Sequence, residues 1–204
     1  YKLGEVLPML AGADRITERW SNSGEAIEFP QKYEELFKYD VVVLCNVGSY
    51  WLQYDGRKVL KDFVEAGGGL VVLGGLYTLG QGNIAGTTLE ELLPVTLAGG
   101  REVQRAATPL ILKAGKGGPN FGALQWAGQP AVYWRHMVTP KAGAATSLLA
   151  GTEPALVTAM VGKGRVAVFT LTALGDKVGN ETPFWQWTGW PTVLGNTLTW
   201  AAGK

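Results

Sequence analysis

Residues 41–45 read VVVLC, an unbroken apolar run in which β-branched residues dominate. A strand that alternates polar and apolar positions faces water on one side. One that does not is covered on both faces, as in a parallel sheet held between helices. Residues 70–73, LVVL, repeat the pattern. Between the two runs the period changes. Val59, Leu60, Phe63 and Val64 recur at three- and four-residue spacing, which predicts a helix over residues 56–66, ended by the glycines at 67–69. Strand, helix and strand in that order predict a βαβ unit with parallel strands and a right-handed crossover.

Upstream, Leu3, Val6, Leu7 and Leu10 share a helical spacing within residues 2–20, against which Gly4, Pro8 and Gly12 count. A short strand is predicted over residues 26–29, and QKYEELFKYD reads as a short amphipathic helix or turn. From about residue 94 the texture shifts to short strand-like runs at residues 94–97, 109–112, 131–138, 147–149 and 155–161. Residues 161–165, VGKGR, predict a tight hairpin between strands at 156–160 and 166–171. A last helix over residues 191–202 would turn Val193, Leu194, Thr197, Leu198 and Ala201 inward. The pattern predicts one α/β domain over residues 1–204: a three-layer α/β/α sandwich whose mixed sheet gains antiparallel strands in its second half.

Composition agrees with a packed globular chain. It has 204 residues with 47% hydrophobic content, and its mean hydropathy is close to zero. A net charge of +1 and the lack of a Lys/Arg stripe give no argument for nucleic acid. No apolar run reaches the roughly 18 residues of a membrane span, and no signal peptide is visible. The chain starts at Tyr1 rather than Met, as a processed product or a fragment of a longer protein would. It has one cysteine, Cys45, and one histidine, His136, which exclude a disulfide framework and any site that needs two imidazoles. No metal and no cofactor are expected.

The chemistry that remains centres on GGGLVVLGGLYTLGQG at residues 67–82, a buried strand running into a glycine-lined turn. Many α/β enzymes place a Ser or Cys nucleophile at such a turn. Here it offers Gly74, Gly75, Leu76 and Tyr77. Its glycines could cradle a phosphate, but the Lys and Ser/Thr of a P-loop are missing, so tight turning is the better reading. Cys45 reads as a small buried hydrophobe and His136 as a structural or surface histidine. A Ser49–His136–Asp176 triad can be written down without support from order or spacing. Trp185, Trp187 and Trp190 crowd TPFWQWTGWP, either as packing under the last helix or as an aromatic platform for a sugar or another flat ligand. Asp176, Asn180 and Glu181 lie close by in the sequence.

YDVVVLCNVG followed by LKDFVEAGGGLVVLGGLYTLGQGNIAGTTLEELLPV resembles the class I glutamine amidotransferase-like superfamily. The carrying elements are Tyr39-Asp40 before a strand, Gly67-Gly68-Gly69, Gly74-Gly75 and Leu92-Leu93-Pro94-Val95. Gly162-Lys163-Gly164-Arg165 and the tail from Asn196 to Trp200 also match. The trehalose-utilisation protein family and the trimerisation domain of some β-galactosidases are relatives in fold. The resemblance implies a flavodoxin-like sandwich. It also implies a first strand ahead of the first helix, which this sequence is expected to lack. Active members carry a Cys at the strand–helix elbow and a His and a Glu past a later strand. Those positions fall at Gly74, near Thr172 and near Leu174, so no catalytic residue is expected.

The expectation is a catalytically silent amidotransferase-like domain for ligand binding or assembly, with a carbohydrate as one ligand class. The alternative is a hydrolase with a non-standard site at the same strand ends. In open α/β sheets ligands collect at the carboxyl ends of the parallel strands. Residues 46–51, 74–81 and 172–187 should converge there and supply Asn46, Ser49, Tyr50, Tyr77, Thr78, Asp176, Trp185 and Trp187. That mix of rings and hydroxyls with few charges suits a small, neutral polar ligand such as a sugar. Self-association, or a place in a larger parent protein, is the other expected partnership.

Overall fold

The computed structural model of the protein describes Tyr1, Leu3 and residues 29–204. The helical reading of residues 2–20 and the short strand at 26–29 therefore fall almost wholly outside the described residues. The first described helix, α1 (Tyr33–Leu36), is a single turn that leads into strand β1 (Val41–Cys45). Helix α2 (Ser49–Ala66) carries the chain to β2 (Gly69–Leu73), which pairs with β1 in parallel, Val41 opposite Gly69 and Cys45 opposite Leu73. The βαβ unit predicted from the hydrophobic period is present.

After β2 come α3 (Thr88–Leu92), β3 (Val95–Thr96), β4 (Val103–Ala114), β5 (Pro130–His136), β6 (Thr139–Pro140), β7 (Ala145–Ala150) and β8 (Glu153–Val161). The chain ends with β9 (Gly164–Phe169), β10 (Leu171–Thr172), β11 (Thr182–Pro183), a 3-10 turn (Phe184–Gln186) and α4 (Trp190–Ala201). The main sheet runs β1-β2-β9-β8-β7-β4-β5-β10, with β11 also on β5, while β3 and β6 form a separate pair. β1, β2 and β9 are mutually parallel; β8, β7, β4 and β5 follow antiparallel. The β8–β9 hairpin turns at Gly162 and Lys163, with Val161 opposite Gly164. Gly162 takes φ 58, which a two-residue hairpin turn demands of its first residue.

One predicted strand, residues 166–171, is two. Thr170 separates β9, which pairs with β8, from β10, which pairs antiparallel with β5. A nearly continuous stretch thus supplies both the third strand of the path, β9, and its last, β10, so the sheet curls back on itself. β4 is far longer than the predicted 109–112, because its first half is a polar, alanine-rich and largely exposed stretch with no apolar alternation to reveal it. The predicted strand at 94–97 shrinks to Val95–Thr96, and β5 stops at His136 rather than 138.

Alternation across β2 sets the two cores. Val71 and Leu73 face a cluster with Phe169, Phe184 and the α4 residues Trp190, Val193, Leu194, Leu198 and Ala201. Leu70 and Val72 face the other, with Leu52, Val59, Leu60, Phe63 and Val64 of α2 and Leu89 and Leu92 of α3. All five residues of β2 are buried, and each such Val or Leu is worth about 1.5–3 kcal/mol against leaving it exposed. Helices on both faces of the sheet make the expected three layers. Among the described residues no helix is long and apolar enough to cross a membrane.

Candidate functional site

β1, β2 and β9 end in register, at Cys45, Leu73 and Phe169. Two of the three segments predicted to converge past those ends do meet. Asn46, in left-handed backbone at φ 57, turns its Oδ1 to accept the Tyr77 N–H at 2.8 Å. Ser49 donates its N–H to Gly82 O at 2.8 Å and its hydroxyl to Asn83 O at 2.7 Å. The start of α2 is thereby tied to the glycine turn.

Gly74 extends the ladder by donating to Phe169 O at 3.0 Å, and its own carbonyl accepts the Tyr1 hydroxyl, which also reaches Leu171 O. Burial, with Cys45 nearby, pushes the Tyr1 phenol well above its usual range. A Cβ on Gly74 would overlap the Leu171 carbonyl oxygen and approach His136 Cδ2 to 3.0 Å; one on Gly75 would overlap the Asn46 amide. Neither position has room for a nucleophilic side chain as the chain stands.

Beneath the turn lies a pair that sequence reasoning missed. His136 Nε2 accepts the Gly75 N–H at 3.1 Å, which places the ring proton on Nδ1, 2.9 Å from Glu102 Oε1. Glu102 Oε1 also accepts the Gly80 N–H at 2.6 Å, and Oε2 the Ala98 N–H at 3.1 Å. Both residues are buried. An imidazole oriented by a carboxylate is the arrangement of a base and its positioning partner in nucleophilic catalysis. Here Nε2 meets a backbone N–H instead of a nucleophile, and no solvent reaches it. Glu102 stands in a polar stretch, GGREVQ, with no spacing that marks it.

The other predicted residues are placed differently. The Ser49–His136–Asp176 triad does not assemble: Ser49 Oγ serves Asn83, His136 is bound to Glu102 and Gly75, and Asp176 is exposed on the loop after β10. Thr78 is fully buried, so it offers no hydroxyl to the surface, and its Oγ1 and that of Thr172 have no hydrogen-bond partner. The N–H groups of Gly74, Gly75, Tyr77, Gly80, Gly82, Asn83 and Ile84 are engaged inside the protein, which removes the donors a phosphate cradle would use. Trp185 and Trp187 sit at the far end of β5. β11 pairs with Pro130 and Ala131 while His136 abuts the elbow, a separation of about 20 Å at strand rise. Trp187 is buried, stacked on Trp126 at 5.3 Å and donating to Ala127 O at 2.7 Å. Trp185 is half-buried against Phe184 and Tyr133. Both indoles pack the domain rather than line the elbow. Cys45 is half-buried against the same core, and burial pushes its thiol up from its ordinary value.

The large apolar side chains exposed here are Leu76 and Tyr77 on the elbow and Tyr50 and Tyr54 on the start of α2. Five non-glycine residues among those described have positive φ; Asn46 and Leu79 lie in the segments 46–51 and 74–81, Gln53 and Asn83 lie two residues past their ends, and Gln129 is the fifth. Backbone strain of this kind gathers at binding and catalytic sites. Among the described residues no cluster of His, Cys, Asp or Glu could hold a metal.

A three-layer α/β domain with a glycine elbow after its second parallel strand is consistent with the amidotransferase-like class of fold. The chain belongs to the GATase1_like family, described as "Putative glutamine amidotransferase", which matches residues 9–203. Among solved structures it is similar to the cytoplasmic protein STM3548 from Salmonella typhimurium, at 24% identity and a TM-score of 0.74, covering 85% of this chain and 76% of that one. It is likewise similar to the cytoplasmic protein STM1381 from Salmonella typhimurium LT2, at 22% identity and a TM-score of 0.73, with the same coverage. At these identities the likeness is one of fold. A search of curated proteins gives no match.

Proposed function

We propose that this protein is a catalytically silent member of its family, whose sheet edge binds a small polar ligand, with a neutral sugar as the favoured class, instead of hydrolysing glutamine. The observation that carries the reading is the closure of the elbow. Gly74 has no side chain, and the space a side chain would take is filled by the Leu171 carbonyl and the His136 ring. A thiolate nucleophile needs a base within hydrogen-bond reach. The imidazole, His136, has both nitrogens engaged, by Glu102 and by Gly75.

The exposed groups support binding. Asn46, Tyr50 and Tyr77 are at the surface where the two strained segments meet. Ammonia release from glutamine tests the silent half of the proposal. The expected result is no release above a buffer blank. Release that disappears in Cys45→Ala would overturn it, because it would give the cysteine outside the elbow a catalytic role.

A further inference from the structure

Helix α2 is broken near its start. Gln53 has φ 56 and ψ −179, an extended backbone with positive φ inside an otherwise helical run. For a residue with a side chain this conformation costs about 1–3 kcal/mol and persists only where the surroundings enforce it. The enforcing contacts are present. The break frees carbonyls that an intact helix would use. Arg57 Nη1 takes the Ser49 carbonyl at 2.9 Å, and Gln31 Nε2 takes that of Leu52 at 3.3 Å. Downstream, Gly56 lies so close to Phe29 and Gln31 that a Cβ there would clash with both. The kink is therefore built into the fold.

Around it opens a cavity of about 300 Å³, lined by Tyr50, Trp51, Gln53, Tyr54 and Arg57. That is the lower end of the size range of small-molecule sites. Tyr50 is 79% exposed and Tyr54 72%, an unusual setting for two rings on one cavity. The Trp51 indole meets the Tyr50 ring edge-on at 5.6 Å and backs it.

We propose that this kink is a saccharide-binding site, in which the apolar face of a pyranose ring stacks on Tyr50 or Tyr54 and its hydroxyls bond to the Gln53 amide and the Arg57 guanidinium. Rings with a polar tip beside an amide fit a ligand with an apolar face and a hydroxylated rim. The lining carries one charge, and Arg57 already has one nitrogen on the Ser49 carbonyl. Among the described residues no second cation lines the cavity beside it to share a phosphate or a carboxylate, so the lining favours a neutral ligand, and glucose 6-phosphate tests that preference. The proposal rests on the reading that this sheet edge binds rather than reacts, and it moves the site from the elbow to the kink of α2.

The test is calorimetric titration of the full chain with cellobiose, lactose and mannobiose, and with glucose 6-phosphate and decaproline as comparators. At least one neutral disaccharide should bind saturably. Its affinity should fall about tenfold or more in Tyr50→Ala and in Tyr54→Ala, both with unchanged thermal unfolding, and should stay within about twofold in Met160→Ala, an exposed position on β8. No disaccharide binding, binding indifferent to both tyrosines, or a preference for glucose 6-phosphate or decaproline would each overturn the proposal. Binding lost in Tyr77→Ala and kept in Tyr54→Ala would overturn the kink site and leave ligand binding at the elbow standing. Glutaminase activity would sink the silent reading without touching the titration.

Discussion

Replacing Glu102 tests whether the elbow is held from below by a buried carboxylate. Three donors converge on it, from Gly80, Ala98 and His136 Nδ1, and the residue is 1% exposed. Glu102→Ala leaves the buried Gly80 N–H and His136 Nδ1 without an acceptor, while the N–H of the exposed Ala98 can turn to water. Each orphaned buried donor costs about 1–3 kcal/mol, while removing the carboxylate recovers a desolvation penalty of several kcal/mol. The net loss is about 2–5 kcal/mol. Glu102→Gln keeps the shape: its amide oxygen can serve two donors, but its NH2 then faces the third, for a loss of about 1–3 kcal/mol. In a chain of this length each kcal/mol moves the melting midpoint by roughly 2–4 °C. The alanine variant should therefore melt about 5–20 °C below the parent, with the glutamine variant between them. Thermal unfolding followed by circular dichroism at neutral pH reads this directly. His136→Ala and the double variant complete a cycle. The two side chains share a bond, so the double variant should lose less than the sum of the singles. Glu102 variants that melt with the parent, or strictly additive losses, would refute the reasoning.

Gly74→Ala should cost about 1–3 kcal/mol by overpacking, since the new Cβ meets the Leu171 carbonyl and the His136 ring; an unchanged thermal midpoint would speak against the closed elbow. Gln53→Gly should stabilise by about 1 kcal/mol, because relief of the strained backbone outweighs the added chain entropy, and a urea midpoint that falls instead would show that the kink is not strained. The N–H groups of Val178 and Gly179, with the Tyr133 hydroxyl, hold the Glu181 carboxyl down to about 2. Its contribution to stability is whole above the ordinary 4.5 and is lost as the pH falls toward 2. Burial, with Glu181 beside it, pushes Tyr133 up to about 12, so its contribution is lost as the pH rises from 10 toward 12. Glu181→Gln should flatten the acid limb of the stability profile, and an acid limb unchanged by it would rule out this carboxyl as the cause.

The layers of the fold were legible because burial on both faces leaves an unmistakable pattern. LVVL and the Val59–Leu60–Phe63–Val64 stripe each had one physical reading, and the structure has it; VVVLC is a strand as read, but among the described residues only its Leu44 is buried. The first turns of α2 were not legible. SYWLQYD presents Tyr50 and Tyr54 to solvent, with Trp51 half-buried, and is broken at Gln53, so no apolar stripe marks it as helix. The same fact hid the Tyr50–Tyr54 cavity, whose signal was two exposed tyrosines within five positions that no core required. The Trp185–Trp187 cluster failed as a site for the opposite reason. Its rings are needed inside, against Trp126, Tyr133 and Phe184, and β11 fixes them at the wrong end of β5. Glu102 was invisible because what makes it important, three donors from distant segments, exists only after folding.

The closure of the elbow follows from how many groups hold it. A side chain at position 75 must displace the Asn46 amide, which would release the Tyr77 N–H. A side chain at position 74 must push back the Leu171 carbonyl, which also accepts the Tyr1 hydroxyl, and the His136 ring, which carries Glu102 behind it. Freeing His136 to act as a base would strand the Gly75 N–H, and moving Glu102 would strand that of Gly80. Buried networks of this kind are costly to leave half-satisfied. A thiol placed at the elbow therefore cannot act alone: it needs β1, β5 and the β9–β10 junction to shift together. The exposed rings on the kinked start of α2 carry no such constraint. They can engage a ligand without disturbing a single buried hydrogen bond, which supports the proposal that this end of the sheet binds rather than reacts.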